Sequence, residues 1–128
     1  MNIPGELKYT REHEWVKVEE DILTIGITDF AQKELGDIVY VELPETDEVL
    51  KREEAFSTIE SVKTASDIFM PVSGTIVEVN EDLEDNSAYI NEDPYGSWIV
   101  KVKVDDEAGL NELMSAEEYK EFCQKEEK

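Results

Sequence analysis

Apolar and polar residues alternate along much of this chain, in short stretches parted by glycine, proline and acidic turns. That period of two argues half-buried β-strands. Residues 15–18 and 22–27 read as paired strands around an acidic loop, Glu19-Glu20-Asp21. A further strand, 38–43, stops at Pro44. Residues 55–62 and 65–70 read as the arms of a hairpin that ends at Pro71. Ser73-Gly74 reads as a turn, 75–80 and 98–104 as the last strands, and 81–93 as a loop. Gly26, inside a strand, marks a bulge or a close backbone approach.

The period lengthens twice. Residues 28–35 predict a short helix that buries Phe30, Ala31 and Leu35. Thr28 or Asp29 suits its N-cap and Gly36 a left-handed C-terminal cap. Ser115 and Glu118 form a capping box for a C-terminal helix at about 115–125. Met114 and Tyr119 occupy the two positions of a hydrophobic staple. Ala116, Tyr119, Phe122 and Cys123 share one face, so Cys123 reads as a packing residue.

A six-residue pattern occurs twice. Gly36-Asp37-Ile38-Val39-Tyr40-Val41 and Gly74-Thr75-Ile76-Val77-Glu78-Val79 share Gly-x-Ile-Val-x-Val. This predicts two similar β units packed together, a small β-sandwich or flattened barrel. Between the copies, at the join of the hairpin arms, stands Lys63. A turn lysine is commonly no more than a solvated charge, and the turn lacks the Asn-Gly or Asp-Gly pair of a strong hairpin signal. It is equally a side chain held out where an attachment is accessible.

The 128 residues fit one domain over 1–128 with a packed core, since 40% are hydrophobic. One cysteine permits no internal disulfide, in keeping with a reducing cytoplasm. The net charge of −21, from 33 acidic and 12 basic residues, argues against nucleic acid and against anionic membranes. No apolar run is long enough for a membrane span, and the first residues lack a signal pattern. The lone His13 has no second histidine for a zinc site, so no metal is expected. No catalytic triad, no phosphate-binding glycine loop and no basic aromatic patch occur.

The segment Glu60-Ser61-Val62-Lys63-Thr64-Ala65-Ser66 resembles the lipoyl-attachment motif of the glycine cleavage H-protein family. Glu12-His13-Glu14-Trp15-Val16, Ile25-Gly26-Ile27-Thr28-Asp29-Phe30-Ala31 and Leu35-Gly36-Asp37-Ile38-Val39 match in order, followed by Val41-Glu42-Leu43-Pro44. Pro71-Val72-Ser73-Gly74, Val79-Asn80 and Asn91-Glu92-Asp93-Pro94-Tyr95-Gly96 complete a set that spans residues 7–122. The chain departs from the family pattern at Ser57 and Ser97, where glycine is frequent, and across 84–88; all three read as turn or surface positions.

The resemblance implies a mainly β, barrel-sandwich hybrid fold of the lipoyl/biotinyl-carrier type. It implies lipoic acid in amide linkage to Lys63, within the recognition motif Glu60, Ser61, Val62, Thr64, Ala65 and Ser66. Its partners are then a glycine decarboxylase, an aminomethyltransferase, a dihydrolipoyl dehydrogenase, and a lipoate ligase or lipoyltransferase. A lysine amine is almost wholly protonated at neutral pH, so attachment needs an enzyme that removes the proton and supplies an activated acyl donor. The family also points to a cleft at Glu14 and Asp67 that shelters the loaded arm; the plain alternative for each is a surface acid. The protein is expected to be a cytoplasmic monomer. Competing readings are a lipoyl relay serving other complexes, a biotin carrier, a lipoyl domain of a 2-oxo acid dehydrogenase, and an unmodified acidic interaction domain. Biotin carriers place Met on both sides of the lysine, where Val62 and Thr64 stand here.

Overall fold

The computed structural model describes residues 2–107 and 109–126. Among the described residues nine strands form two antiparallel sheets. β1 (Lys8–Tyr9), β2 (Glu14–Glu19) and β3 (Ile22–Ile27) form a meander. The helix α1 (Asp29–Leu35) leads into β4 (Ile38–Glu42), then β5 (Val49–Leu50), β6 (Ala55–Ser61), β7 (Ala65–Phe69) and β8 (Ser73–Val79). Two one-turn helices, α2 (Asp82–Asp85) and α3 (Tyr89–Glu92), precede β9 (Val100–Asp106). A 3-10 turn at Leu110–Glu112 precedes α4 (Ala116–Glu126). The larger sheet runs β1-β2-β3-β9-β8-β5 and the smaller β4-β6-β7.

The core lies between the sheets. Val16, Leu23, Ile25, Ile76 and Val102 from the larger sheet meet Ile38, Val41, Phe56, Ile59 and Ile68 from the smaller. A second cluster lies under α4, where Tyr119 and Cys123 pack with Leu7, Tyr9, Trp15 and Phe30. Cys123 is buried there, as its helical spacing predicts. Ser115 and Glu118 exchange the two bonds of a capping box, at 2.9 and 3.2 Å.

Thr28, not Asp29, caps α1: its hydroxyl accepts the Ala31 N–H at 3.2 Å. That hydroxyl also meets the Tyr119 hydroxyl at 2.7 Å, and Tyr119 meets His13 Nδ1 at 2.7 Å. His13 Nε2 donates to Glu126 at 2.6 Å, and the ring stacks on Phe30. His13 is therefore a packed turn residue that fastens α4 to the sheet. Among the described residues no group of His, Cys, Asp and Glu is placed to hold a metal. No described helix is long and apolar enough to cross a membrane.

Several expectations change. Residues 81–93 are not a loop: Leu83 and Ile90 are buried anchors on one turn of helix each. Isolated turns this short carry little periodicity, so only tertiary burial specifies them. Gly74 is not in a turn but inside β8, where a Cβ would sit 2.5 Å from the Lys103 carbonyl oxygen. The last strand starts and ends two residues later than 98–104, because β8 continues its pairing to Asp106. Gly36 has positive φ, 77°, but its ψ of −155° is not a left-handed helical cap. Ser57 and Ser97 are buried rather than surface residues, with hydroxyls donated to the Glu42 and Tyr89 carbonyls at 2.6 and 3.0 Å. Gly26 does mark a close approach: the Trp15 indole lies 2.6 Å from where its Cβ would stand.

Candidate functional site

The arms of the central hairpin are β6 and β7, paired from Ala55↔Phe69 to Glu60↔Ala65. Three residues, Val62, Lys63 and Thr64, make the connection, and one hydroxyl organises them. Ser61 Oγ accepts the Lys63 and Thr64 backbone N–H groups, each at 3.2 Å, and donates to the Thr64 carbonyl at 3.2 Å. The Ser61 N–H also donates to that carbonyl at 2.8 Å. This side-chain-closed turn replaces the absent Asn-Gly pair. Lys63 is thus exposed on a loop whose backbone is pinned.

The tip leans on the segment after α1. The Val62 N–H donates to the Asp37 carbonyl at 2.9 Å. The Lys63 stem crosses Gly36, with Cε 3.1 Å and Nζ 3.7 Å from where a Cβ would stand. Among the described residues Lys63 Nζ enters no ion pair, so the amine is open to a partner.

Asn91 holds this platform from behind. Its amide nitrogen donates to the Gly36 carbonyl and to Gln32 Oε1, both at 2.9 Å, and its oxygen accepts the Ile38 N–H at 2.9 Å. All of the side chain's bonding capacity but one acceptor position goes to the segment on which the Lys63 tip leans. Reading 81–93 as a loop missed this role; the signal for it lies only in the tertiary pairing of α3 with α1.

The motif residues Glu60, Thr64, Ala65 and Ser66 line the hairpin as expected, with Glu60 exposed opposite Tyr40. Asp67 is exposed on β7 and accepts from the Thr58 hydroxyl at 3.0 Å across the hairpin. Glu14 is no surface acid. It is 1% exposed, takes the Phe69 N–H at 2.7 Å, and meets the Thr10 hydroxyl at 3.2 Å. Burial pushes its carboxyl up to about 8, against the opposing Phe69 hydrogen bond. Both acids therefore touch β7, but no direct contact joins them. Strand rise places Asp67 roughly 13 Å and Phe69 roughly 20 Å from Lys63 along the chain, at about 3.3 Å per residue. A pocket of about 370 Å³ lined by Thr10, Arg11, Arg52, Met70 and Pro71 opens beyond the far end of that strand.

An exposed, unpaired amine beside a bare glycine backbone suits covalent attachment of a long acyl group. Among the described residues no group of His, Cys, Asp and Glu is placed to hold a metal beside it.

The family model described as Glycine cleavage H-protein matches residues 7–126. A glycine cleavage system H protein from Staphylococcus carnosus (strain TM300) is 58% identical over 123 residues, 95% of this chain and 98% of the relative. One from Halalkalibacterium halodurans is 57% identical over 126 residues, 98% of each chain. The crystal structure of a glycine cleavage system H protein from Mycobacterium marinum superposes with a TM-score of 0.84 at 40% identity, covering 91% of this chain and 95% of that one. The fold is accordingly the barrel-sandwich hybrid that the sequence motifs imply.

Proposed function

The chain belongs to the glycine cleavage H-protein family, and from that premise we propose that Lys63 is the residue that carries its lipoyl group. The protein is a lipoyl-bearing carrier of the glycine cleavage system and not a catalyst. It takes an aminomethyl group from glycine decarboxylase to the aminomethyltransferase, and electrons to dihydrolipoyl dehydrogenase. When attached, the lipoyl group supplies a disulfide that opens to accept the aminomethyl unit and a dithiol that is reoxidised. The protein's own contribution is position. Ser61 and the Asp37 carbonyl fix the tip backbone, and Gly36 gives the stem room to move.

The observation that carries the assignment of Lys63 is its unpaired amine on a backbone pinned by the Ser61 hydroxyl within the attachment motif. Incubation with lipoate, ATP and a lipoate ligase is expected to add one lipoyl mass, mapped to Lys63. A Lys63→Arg variant that still gains that mass overturns the assignment. Transfer of lipoate from the loaded protein to an acceptor complex would instead favour a relay role.

The surface of β7 that carries Asp67 is our candidate shelter for the loaded arm. An extended lipoyl-lysine spans roughly 15 Å by ordinary bond lengths, which covers the stretch to Asp67; Glu14, buried against Phe69, supports that strand from beneath. Asp67→Asn is expected to speed formaldehyde release from the aminomethyl-loaded protein, and an unchanged rate removes the shelter. A single carrier domain over 1–128, monomeric and cytoplasmic, completes the reading. Sedimentation at dimer mass, or recovery outside the cytoplasmic fraction, contradicts it.

A further inference from the structure

Seven large apolar side chains are exposed among the described residues, and four of them, Val39, Tyr40, Val62 and Tyr89, belong to the elements around Lys63. Val62 adjoins Lys63 in the turn and is 67% exposed. Val39 and Tyr40 lie on β4, the strand next to β6. Tyr89 starts α3, whose Asn91 grips the Ile38 N–H at 2.9 Å.

The pair on β4 has a specific cause. Strict alternation puts one of two consecutive residues into the core. Here the register shifts between Ile38 and Tyr40. Ile38 and Val41 face the core while Val39 (56% exposed) and Tyr40 (48%) both face water. A bulge that re-aims side chains beside a functional residue is a built feature, and here it turns apolar surface outward. Exposed acids Asp37, Glu42, Glu60, Glu84 and Asp85 lie on these same elements and on α2, which packs against β4.

We propose that Val39, Tyr40 and Val62, with Tyr89 beside them, are the docking face for the enzyme that acylates Lys63, a lipoyl-transferring enzyme with an apolar contact patch rimmed by basic residues. The proposal rests on Lys63 being the attachment residue. The choice of occupant follows from where each reaction happens. Enzymes that act on the finished arm work at its far end, roughly 15 Å of bonds away. Only the acylating enzyme brings its reacting carbon into contact with Nζ, whose stem lies along Gly36. It therefore covers the surface next to that stem. In the step itself the deprotonated Nζ attacks the carbonyl carbon of an activated lipoyl donor, an acyl adenylate or thioester. An amide C–N bond forms, and the bond from that carbon to phosphate oxygen or thiol sulfur breaks with its electron pair. The amine proton passes to a base on the enzyme. The acid rim supplies steering, and the apolar face supplies burial.

The test uses Val39→Ser with Tyr40→Ser in the full chain, both solvent-facing, and Tyr40→Phe as the conservative control. Lipoylation by a lipoate ligase with lipoate and ATP is followed by intact mass at varied carrier concentration. KM is expected to rise about tenfold with kcat held within about twofold, the size of a lost interface hot spot. Tyr40→Phe keeps the wild-type KM. Once fully lipoylated at high ligase concentration and reduced to the dithiol with a phosphine, then freed of reductant, the double variant is reoxidised by dihydrolipoyl dehydrogenase with NAD+ at the wild-type rate. An unchanged lipoylation KM overturns the proposal, as do equal losses in both assays, which assign the face to carrier partners in general. Failure of the wild-type chain to gain a lipoyl mass is a different result, seen before any variant is made, and it overturns the attachment reading.

Discussion

The two Gly-x-Ile-Val-x-Val segments fold alike and face different surroundings. Each enters a strand with its isoleucine in the core, and each shifts register just after it, between Ile38 and Tyr40 in one and Ile76 and Glu78 in the other. The first stands in the small sheet and the second in the large one. After the bulge the second copy presents Glu78 opposite Lys101, whose Nζ lies 3.8 Å from the carboxylate and 5.1 Å over the Trp98 ring. Of its two outward residues Glu78 is engaged within the molecule and Val77 is open. The first copy presents Tyr40 opposite Glu60, on open surface. One β unit ties its outward charge into the scaffold, while its double keeps two apolar residues outward beside the amine we assign to lipoylation.

The glycines that open the two copies give the largest test of that contrast. Gly74 has backbone against it, with the Lys103 carbonyl oxygen and a Val102 methyl each 2.5 Å from where a Cβ would stand. Gly74→Ala forces β8 and β9 apart and is expected to cost about 3 kcal/mol in urea denaturation. Gly36 has only the flexible end of Lys63 against it, and its positive φ is the chief obstacle. Gly36→Ala is expected to cost about 1 kcal/mol and to slow lipoylation besides, an effect with no counterpart at Gly74. Equal costs at the two positions, with lipoylation untouched, would erase the distinction between scaffold and platform.

The same glycines show what was legible in the sequence. The repeat, the longer strands, the capped α1 and α4, and the lysine hairpin follow from local periodicity and turn chemistry, whereas the two-residue strands β1 and β5 are too short to show a period. Gly74 read as a turn because a Ser-Gly pair after Pro71 carries that signal, while the approach of Lys103 is tertiary. The bulges are equally hidden: Ile38-Val39-Tyr40-Val41 is an unbroken apolar run, and nothing local says which two residues turn outward. Asn91 and Glu14 were invisible in their true roles for the same reason. Their hydrogen-bond partners lie 53 and 55 positions away.

Glu14 offers a second and smaller test, on the half of the molecule that holds the lysine. Its carboxyl anchors the Phe69 end of the hairpin, with its folded pKa raised to about 8 from an ordinary value near 4.5. At low pH both the folded and the unfolded chain hold the proton, and the group's contribution is fully present. As pH rises past the ordinary value the unfolded chain releases the proton first, so stability falls until the folded carboxyl also ionises near 8. Between pH 5 and 7 this loss is roughly 2 to 3 kcal/mol, at up to about 1.4 kcal/mol per unit of pH. Gln at this position can still accept from Phe69 and donate to Thr10, so Glu14→Gln is expected to remove that slope. Urea midpoints for the two proteins at pH 5, 6 and 7 should diverge steadily; parallel profiles would show that Glu14 is ionised in the fold and that the hairpin base is wetter than its burial indicates.

The smallest effect comes from making the closed copy resemble the open one. Glu78→Tyr gives the second bulge the apolar pair of the first and takes away the ion partner of Lys101. Both charges are partly exposed, so the lost pair costs no more than about 0.5 kcal/mol. Lys101 keeps its place over the Trp98 ring, which a nearby tyrosine does not disturb. Stability is therefore expected to change by less than about 0.5 kcal/mol, and lipoylation of Lys63 not at all. The second expectation matters more. If an exposed Val-Tyr pair on any bulge recruited the acylating enzyme, the variant would bind it in a second, unproductive pose and show inhibition at high carrier concentration. Docking that depends on Val62 and the Gly36 platform together with the pair predicts no such inhibition, because the second bulge has no lysine hairpin leaning on it.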